Sequence, residues 1–292
     1  MYPFQRFLIL LAVIVFPVAA SAQGLDTAKI DAALCRSGQR IGDVYKFGFP
    51  RTDLHVSVHG LAIKPGLALS SWAAFTGTDA DAMVMGDLVL LEDEINPVME
   101  KLRSSGIEIS AVHNHLIDET PHVMYMHYMG HGAASQLATS LRAALAASQT
   151  PLEKPATAVE NTALPAWVNT VEDAFDRKGT FKGGVLSYGV PRADSITMAG
   201  TTIAPAAGVA EAINFQSADS GNVATTGDFV LTAEEVNSVI SELQAHHILV
   251  TALHSHMLTE QPRLFFMHFW GQGPPHDVAA GMKAALDNVH TK

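Results

Sequence analysis

The chain is poor in the residues that would give it a simple assignment. It has one cysteine, Cys35, in 292 residues, so no internal disulfide can form. Cys35 is therefore expected to be a buried small hydrophobe. Basic residues are also scarce, 18 Lys and Arg against 29 Asp and Glu. A surface of that sign excludes nucleic acid and an anionic membrane as natural partners. Beyond the first 22 residues no segment is long and apolar enough to span a bilayer, which takes about 20 apolar residues.

The opening residues have an order of their own. Arg6 stands before an unbroken apolar run from Phe7 to Val18, and Ala20-Ser21-Ala22 follows. Charge, apolar stretch and small residues in that order predict a secretory signal peptide cut after Ala22, and hence a periplasmic or secreted mature protein. With Arg6 removed, 17 basic residues face 29 acidic ones.

An internal repeat fixes the organisation. Shifted by 141 residues, Gly48-Phe-Pro-Arg-Thr-Asp53 overlies Gly189-Val-Pro-Arg-Ala-Asp194, and Gly86-Asp-Leu-Val-Leu overlies Gly227-Asp-Phe-Val-Leu. Glu94-Ile-Asn96 meets Glu235-Val-Asn237, and Ala111-Val-His-Asn-His115 meets Ala252-Leu-His-Ser-His256. The expected division is a leader over 1–22, a first repeat over 23–150, a linker rich in Pro, Ala and Thr over 151–166, and a second repeat over 167–292. Each repeat reads as short β-like runs, a helix, two further strands and a closing helix. The predicted fold class is α+β, two tandem homologous domains, each a mostly antiparallel sheet with two helices.

The histidines carry the chemistry. Residues i and i+2 of a strand share a face, so His113 and His115 project together. His127 on the following strand can complete a triangle, and copy two supplies His254, His256 and His268 at the same spacing. Three imidazoles leaving an open position suit a catalytic divalent metal, above all zinc. Glu119 and Glu260, in the connecting loops, are candidate general acid–base groups or fourth ligands. Arg51 and Arg192, each in Pro-Arg-x-Asp, are candidate partners for a substrate carboxylate, although the aspartates two residues on could instead pair with them. His55, His59, His122, His131, His246, His247 and His276 lack counterparts in the other copy and read as surface or packing residues.

Gly-Asp-x-Val-Leu, the Glu-x-Asn helix and Leu-His-Ser-His-Met-Leu-x-Glu-x-Pro-Arg-x-x-Phe-Met-His together resemble the bacterial LppY/LpqO family of exported proteins. The resemblance spans nearly the whole mature chain and implies an envelope location more than an activity. Some members of that family are lipoproteins, and the cysteine that would carry the lipid is missing here. The His-x-His-x11-His spacing is similar to the zinc site of acetolactate decarboxylase. That local likeness implies His113, His115, His127 and their copy-two equivalents as ligands. The expected function is a metal-dependent hydrolase or lyase acting on a small carbonyl or carboxylate compound. The alternatives are a non-catalytic metal-binding protein and a cell-envelope ligand-binding protein. Metal identity, substrate and oligomeric state are left open by the sequence.

Overall fold

The computed structural model describes residues 24–153 and 164–292. The leader expected over 1–22 and most of the linker expected over 151–166 lie outside the described residues. Copy one opens with the helix Thr27–Leu34 and builds one six-stranded antiparallel sheet. Its spatial order is Gln39–Ile41, Val44–Pro50, Ser70–Gly77, Ala82–Leu90, Met124–Gly132, Glu108–His113. Helices Glu92–Ser104 and Ala134–Leu145 cover one face. Copy two repeats the order with Thr180–Lys182, Val185–Pro191, Ala210–Ser217, Val223–Leu231, Phe265–Gly273 and Leu249–His254. Its helices are Ala166–Phe175, Ala233–Ala245 and Pro275–Leu286. The class is α+β in two tandem copies, as the repeat implies. None of the described helices is long and apolar enough to cross a membrane.

Three expectations need correction. Each copy has an additional N-terminal helix, and the second, Ala166–Phe175, starts at the end of the stretch expected to be linker. Its Val168, Val171 and Phe175 pack into the copy-two core. Among the expected β-like runs, residues 54–63 form only a minimal hairpin, Ser57–Val58 with Leu61–Ala62, followed by the helical turn Pro65–Ala68. Cys35 is exposed: it ends the first helix with a left-handed backbone, φ 51°, and so points away from the core.

The sheets meet face to face, and two arms hold them. Along Ala82–Leu90 all nine residues are buried. Ala82, Val84, Leu88 and Leu90 enter the copy-one core under its helices. Met83 and Met85, on the opposite face, join a second core with copy-two residues. That shared core includes Ile196, Met198, Ile203, Ala207 and Val209, so the copy-two arm lies on the copy-one sheet. The reciprocal arm carries Val56, Val58, Ile63, Leu67 and Leu69 against Val185, Ala224 and Trp270 of copy two. Polar contacts pin the exchange. The Gln216 amide accepts from the Lys64 backbone N–H and donates to the Ala62 carbonyl, and the Lys46 ammonium donates to the Ala206 carbonyl. Burying both sheet faces in this way brings the two histidine strands together.

Candidate metal centre

Copy one presents its histidines at the sheet edge. Glu108–His113 is the edge strand, and its pairing with Met124–Gly132 shifts register between Ile109 and Ala111. A bulge of this kind twists the strand and re-aims the residues beyond it. His113 ends the strand opposite Tyr125, and His115 lies two residues past it. His127 sits inside the neighbouring strand, directly across from Asp87. Copy two repeats the arrangement, with the same bulge before Ala252 and with Asp228 across from His268.

The six histidines do not form two separate sites. His113 and His254 have ring centres 3.5 Å apart, His115 and His268 3.6 Å, and His127 and His256 3.6 Å. Every one of these pairs joins the two copies. Ligand atoms of His113, His115 and His127 lie within 4.8 Å of one another, as do those of His113, His254, His256 and His268. His113 belongs to both groups. These clusters could hold a metal ion.

Two aspartates outside the expected ligand set complete the cluster. Asp87 approaches His115 Nε2 at 3.6 Å and His127 Nε2 at 3.8 Å. Asp228 approaches His256 Nε2 at 3.4 Å and His268 Nδ1 at 3.8 Å. Most of these separations are too long for hydrogen bonds. They match the spacing of two ligands on one ion, since donors about 2.1 Å from a tetrahedral zinc sit about 3.4 Å apart. The sequence carries one trace of them, since Gly-Asp-x-Val-Leu occurs in both copies and sets a carboxylate just ahead of apolar residues.

Electrostatics favour the ligating protonation state of the imidazoles. Burial first, then mutual repulsion, holds His115, His127 and His256 far below the usual imidazole range. Burial likewise takes His113 down to about 4 and His268 to about 3. The rings are thus neutral at neutral pH, as metal ligation requires. Burial pushes Asp87 up to about 7, and raises Asp228 well above the carboxylate range with a further contribution from Asp87. Tautomers are set by the backbone: the Gly227 carbonyl accepts from His268 Nδ1 at 2.7 Å, and that of Asn114 from His113 Nδ1 at 3.1 Å. Such bonds free the Nε2 atoms for an ion.

Those atoms need a partner. Nε2 of all six histidines, Nδ1 of His254, and Oδ1 of Asp87 and Asp228 are buried with no hydrogen bond. An unmet buried polar atom costs about 1–3 kcal/mol. Nine of them would cancel the whole stability of an ordinary domain, about 5–15 kcal/mol. A cation satisfies imidazoles and carboxylates at once. The cluster is also reachable, because a cavity of about 1220 Å³ between the sheets is lined by Asp87, His115, His127, Asp228, His256 and His268.

The glutamates and arginines lie in other roles. Glu119 is buried in its own loop, where Oε1 accepts the Val123 N–H and stands 2.6 Å from His122 Nδ1. Glu260 likewise accepts the Leu264 N–H and pairs with Arg263. Neither belongs to the histidine groups, so each closes its loop. Arg51 is fully buried and all its N–H donors are engaged, by Asp53, Glu94 and the Val89 carbonyl. It has no donor left for a substrate. Arg192 is held through its two terminal nitrogens by Asp194, Glu235 and the Val230 carbonyl, and its buried Nε has no partner. The Pro-Arg-x-Asp motif is therefore an internal clamp joining the sheet to the first residues of a helix.

Fold and site together define a duplicated α+β protein with one histidine–aspartate cluster shared between the copies. The chain belongs to the family described as a domain of unknown function, DUF1259, which matches it twice, over residues 28–147 and 169–288. No curated protein matches it. Among solved structures it is similar to a trimeric bacterial microcompartment shell protein, PduB, at 12% identity over 87% of this chain and 89% of that one, with a TM-score of 0.22. EtuB from Clostridium kluyveri is similar at 10% identity over 86% and 90%, with a TM-score of 0.20. TM-scores this low carry no argument about function or fold.

Proposed function

We propose that this is an exported metal-binding protein whose shared cluster holds zinc or a similar divalent ion. We further propose that it acts as a hydrolase or lyase on a small carbonyl or carboxylate compound. The observation that carries the reading is the set of six imidazoles from both copies, with their Nε2 atoms buried and unpartnered. The leader expected over 1–22 and the resemblance to the LppY/LpqO proteins support the envelope location. Zinc in such a site would polarise a carbonyl or lower the pKa of a bound water. The protein's own contribution is placement: imidazoles kept neutral by burial, His268 and His113 oriented by backbone carbonyls, and a cavity that brings a small molecule to the ligands.

A second reading is non-catalytic metal binding. It is favoured by one observation, that neither Glu119 and Glu260 nor Arg51 and Arg192 belong to the cluster. Elemental analysis of the mature protein, followed by a panel of esters and keto acids, separates the two. Stoichiometric metal with turnover supports the enzyme, stoichiometric metal without turnover supports the second reading, and absence of metal removes both.

A further inference from the structure

The copies agree at six histidines and two aspartates and disagree at the residues beside them. In copy one, Asp87 lies between Trp72 and His127 on adjacent strands. In copy two, Asp228 lies between Ala212 and His268. Register partners share one face of a sheet, so an indole stands beside one aspartate where a methyl stands beside the other. Two residues along, copy one has Met85 between Ala74 and Met129, and copy two has Thr226 between Asn214 and Trp270.

Trp72 is fixed in place. The Lys46 ammonium lies 4.3 Å over its ring, and a Cβ added to Gly208 of the facing arm would come within 2.8 Å of the indole. The indole takes up the space beside Asp87 that stands open beside Asp228, although both aspartates line one cavity. On the other side Thr226 is 1% exposed, lines the cavity together with Asp228, Asn214 and His268, and its hydroxyl has no hydrogen-bond partner.

We infer that the copy-two side is the ligand-binding half of the cluster. A small oxygen-rich acid of the α-hydroxy or α-keto class sits over Ala212. One of its oxygens meets a metal held by His256 and His268, and its hydroxyl or keto oxygen meets the Thr226 hydroxyl. The copy-one side, narrowed by the Trp72 indole, is the structural half. This assignment rests on the metal reading above and deepens it by naming the ligand class and the half that takes it.

The test uses the mature protein loaded with Co(II), whose visible absorption reports ligands entering the metal sphere. Glycolate and acetate are titrated in parallel, because they differ by the hydroxyl assigned to Thr226. Wild type is expected to prefer glycolate about tenfold, the worth of one good hydrogen bond. Thr226→Val should abolish the preference while Co(II) content stays unchanged. Ala212→Trp should block both ligands, and Trp72→Ala should leave the preference as it is. Equal affinity for glycolate and acetate in wild type, or a preference that survives Thr226→Val, overturns the inference even if Ala212→Trp fails to fold. Failure to bind Co(II) at all overturns the metal reading beneath it, and elemental analysis tells the two failures apart.

Discussion

His113 and His254 occupy equivalent positions 141 residues apart in sequence, yet their ring centres lie 3.5 Å apart at a 30° tilt. Two neutral rings gain little from such contact with their nitrogens unpaired. An ion between or beside them gives both a partner, and this makes the meeting of the copies a chemical as well as a packing event.

The arginine clamps predict a stability effect separate from metal binding. Removing one partner from a buried, hydrogen-bonded ion pair costs about 3–5 kcal/mol, because the other charge is left uncompensated. Arg51→Met strands Glu94 beneath the Leu91 N–H that it caps. It should lower the unfolding free energy by that amount in a denaturant melt, while the folded fraction keeps its metal. Arg192→Met should cost less, because its Nε is already unpartnered and Glu235 is more exposed than Glu94.

Gly227 sets the position of Asp228. A Cβ there would collide with the Ala212 carbonyl oxygen across the strand pair, and the Gly227 carbonyl also orients His268. Gly86 is enclosed similarly by the Trp72 carbonyl and the Tyr128 hydroxyl. Gly227→Ala should therefore displace both ligands. The expected result is a protein with lowered Tm and reduced metal content, where an ordinary strand glycine would show the first effect at most.

Lys46 gives the pH dependence. Burial against the copy-two arm lowers its pKa from 10.5 to about 8. Between those two values the unfolded chain holds a proton that the folded chain has released, so stability rises with pH across that window. The penalty is fully present below about 8 and is relieved as pH approaches 10.5. Chemical denaturation in this range should show an upward slope that Lys46→Met flattens.

Loop closure by Glu119 predicts a near-silent substitution at a position that looks catalytic. Glu119→Gln keeps the acceptor for the Val123 N–H, so metal content and any turnover should stay within about twofold of wild type. A loss near the 100-fold typical of a general base would return Glu119 to the chemistry.

Much of this was legible from the chain because duplication prints each element twice. The repeat aligned the Gly-Asp-x-Val-Leu segments that lie in the strands Ala82–Leu90 and Val223–Leu231, and it marked all six histidines. The separation into two sites was not legible as wrong. Strand geometry places His113 beside His115, but it says nothing about which sheet faces another. Asp87 was hidden because its strand is buried on both faces, which removes the alternation that marks an inward polar residue. The arms escaped for a related reason, since two-residue strands such as Ser57–Val58 owe their order to the other copy. The helix Thr27–Leu34 buries only Ile30 and Leu34, too few positions to show a period. In Pro-Arg-x-Asp the pairing of Arg51 with Asp53 was foreseen as an alternative, while its second partner, Glu94, lies 43 residues away.

The most direct test of the shared centre is the metal content of the purified protein beside His113→Ala, His115→Ala and His254→Ala, measured by elemental mass spectrometry. His113 belongs to both ligand groups and His115 to one. The account predicts that His113→Ala depletes metal from the whole cluster, while His115→Ala spares the group formed with copy two. Equal, independent losses of one ion in His113→Ala and His254→Ala would contradict a shared centre, and the absence of stoichiometric metal from wild type would contradict a metal centre altogether.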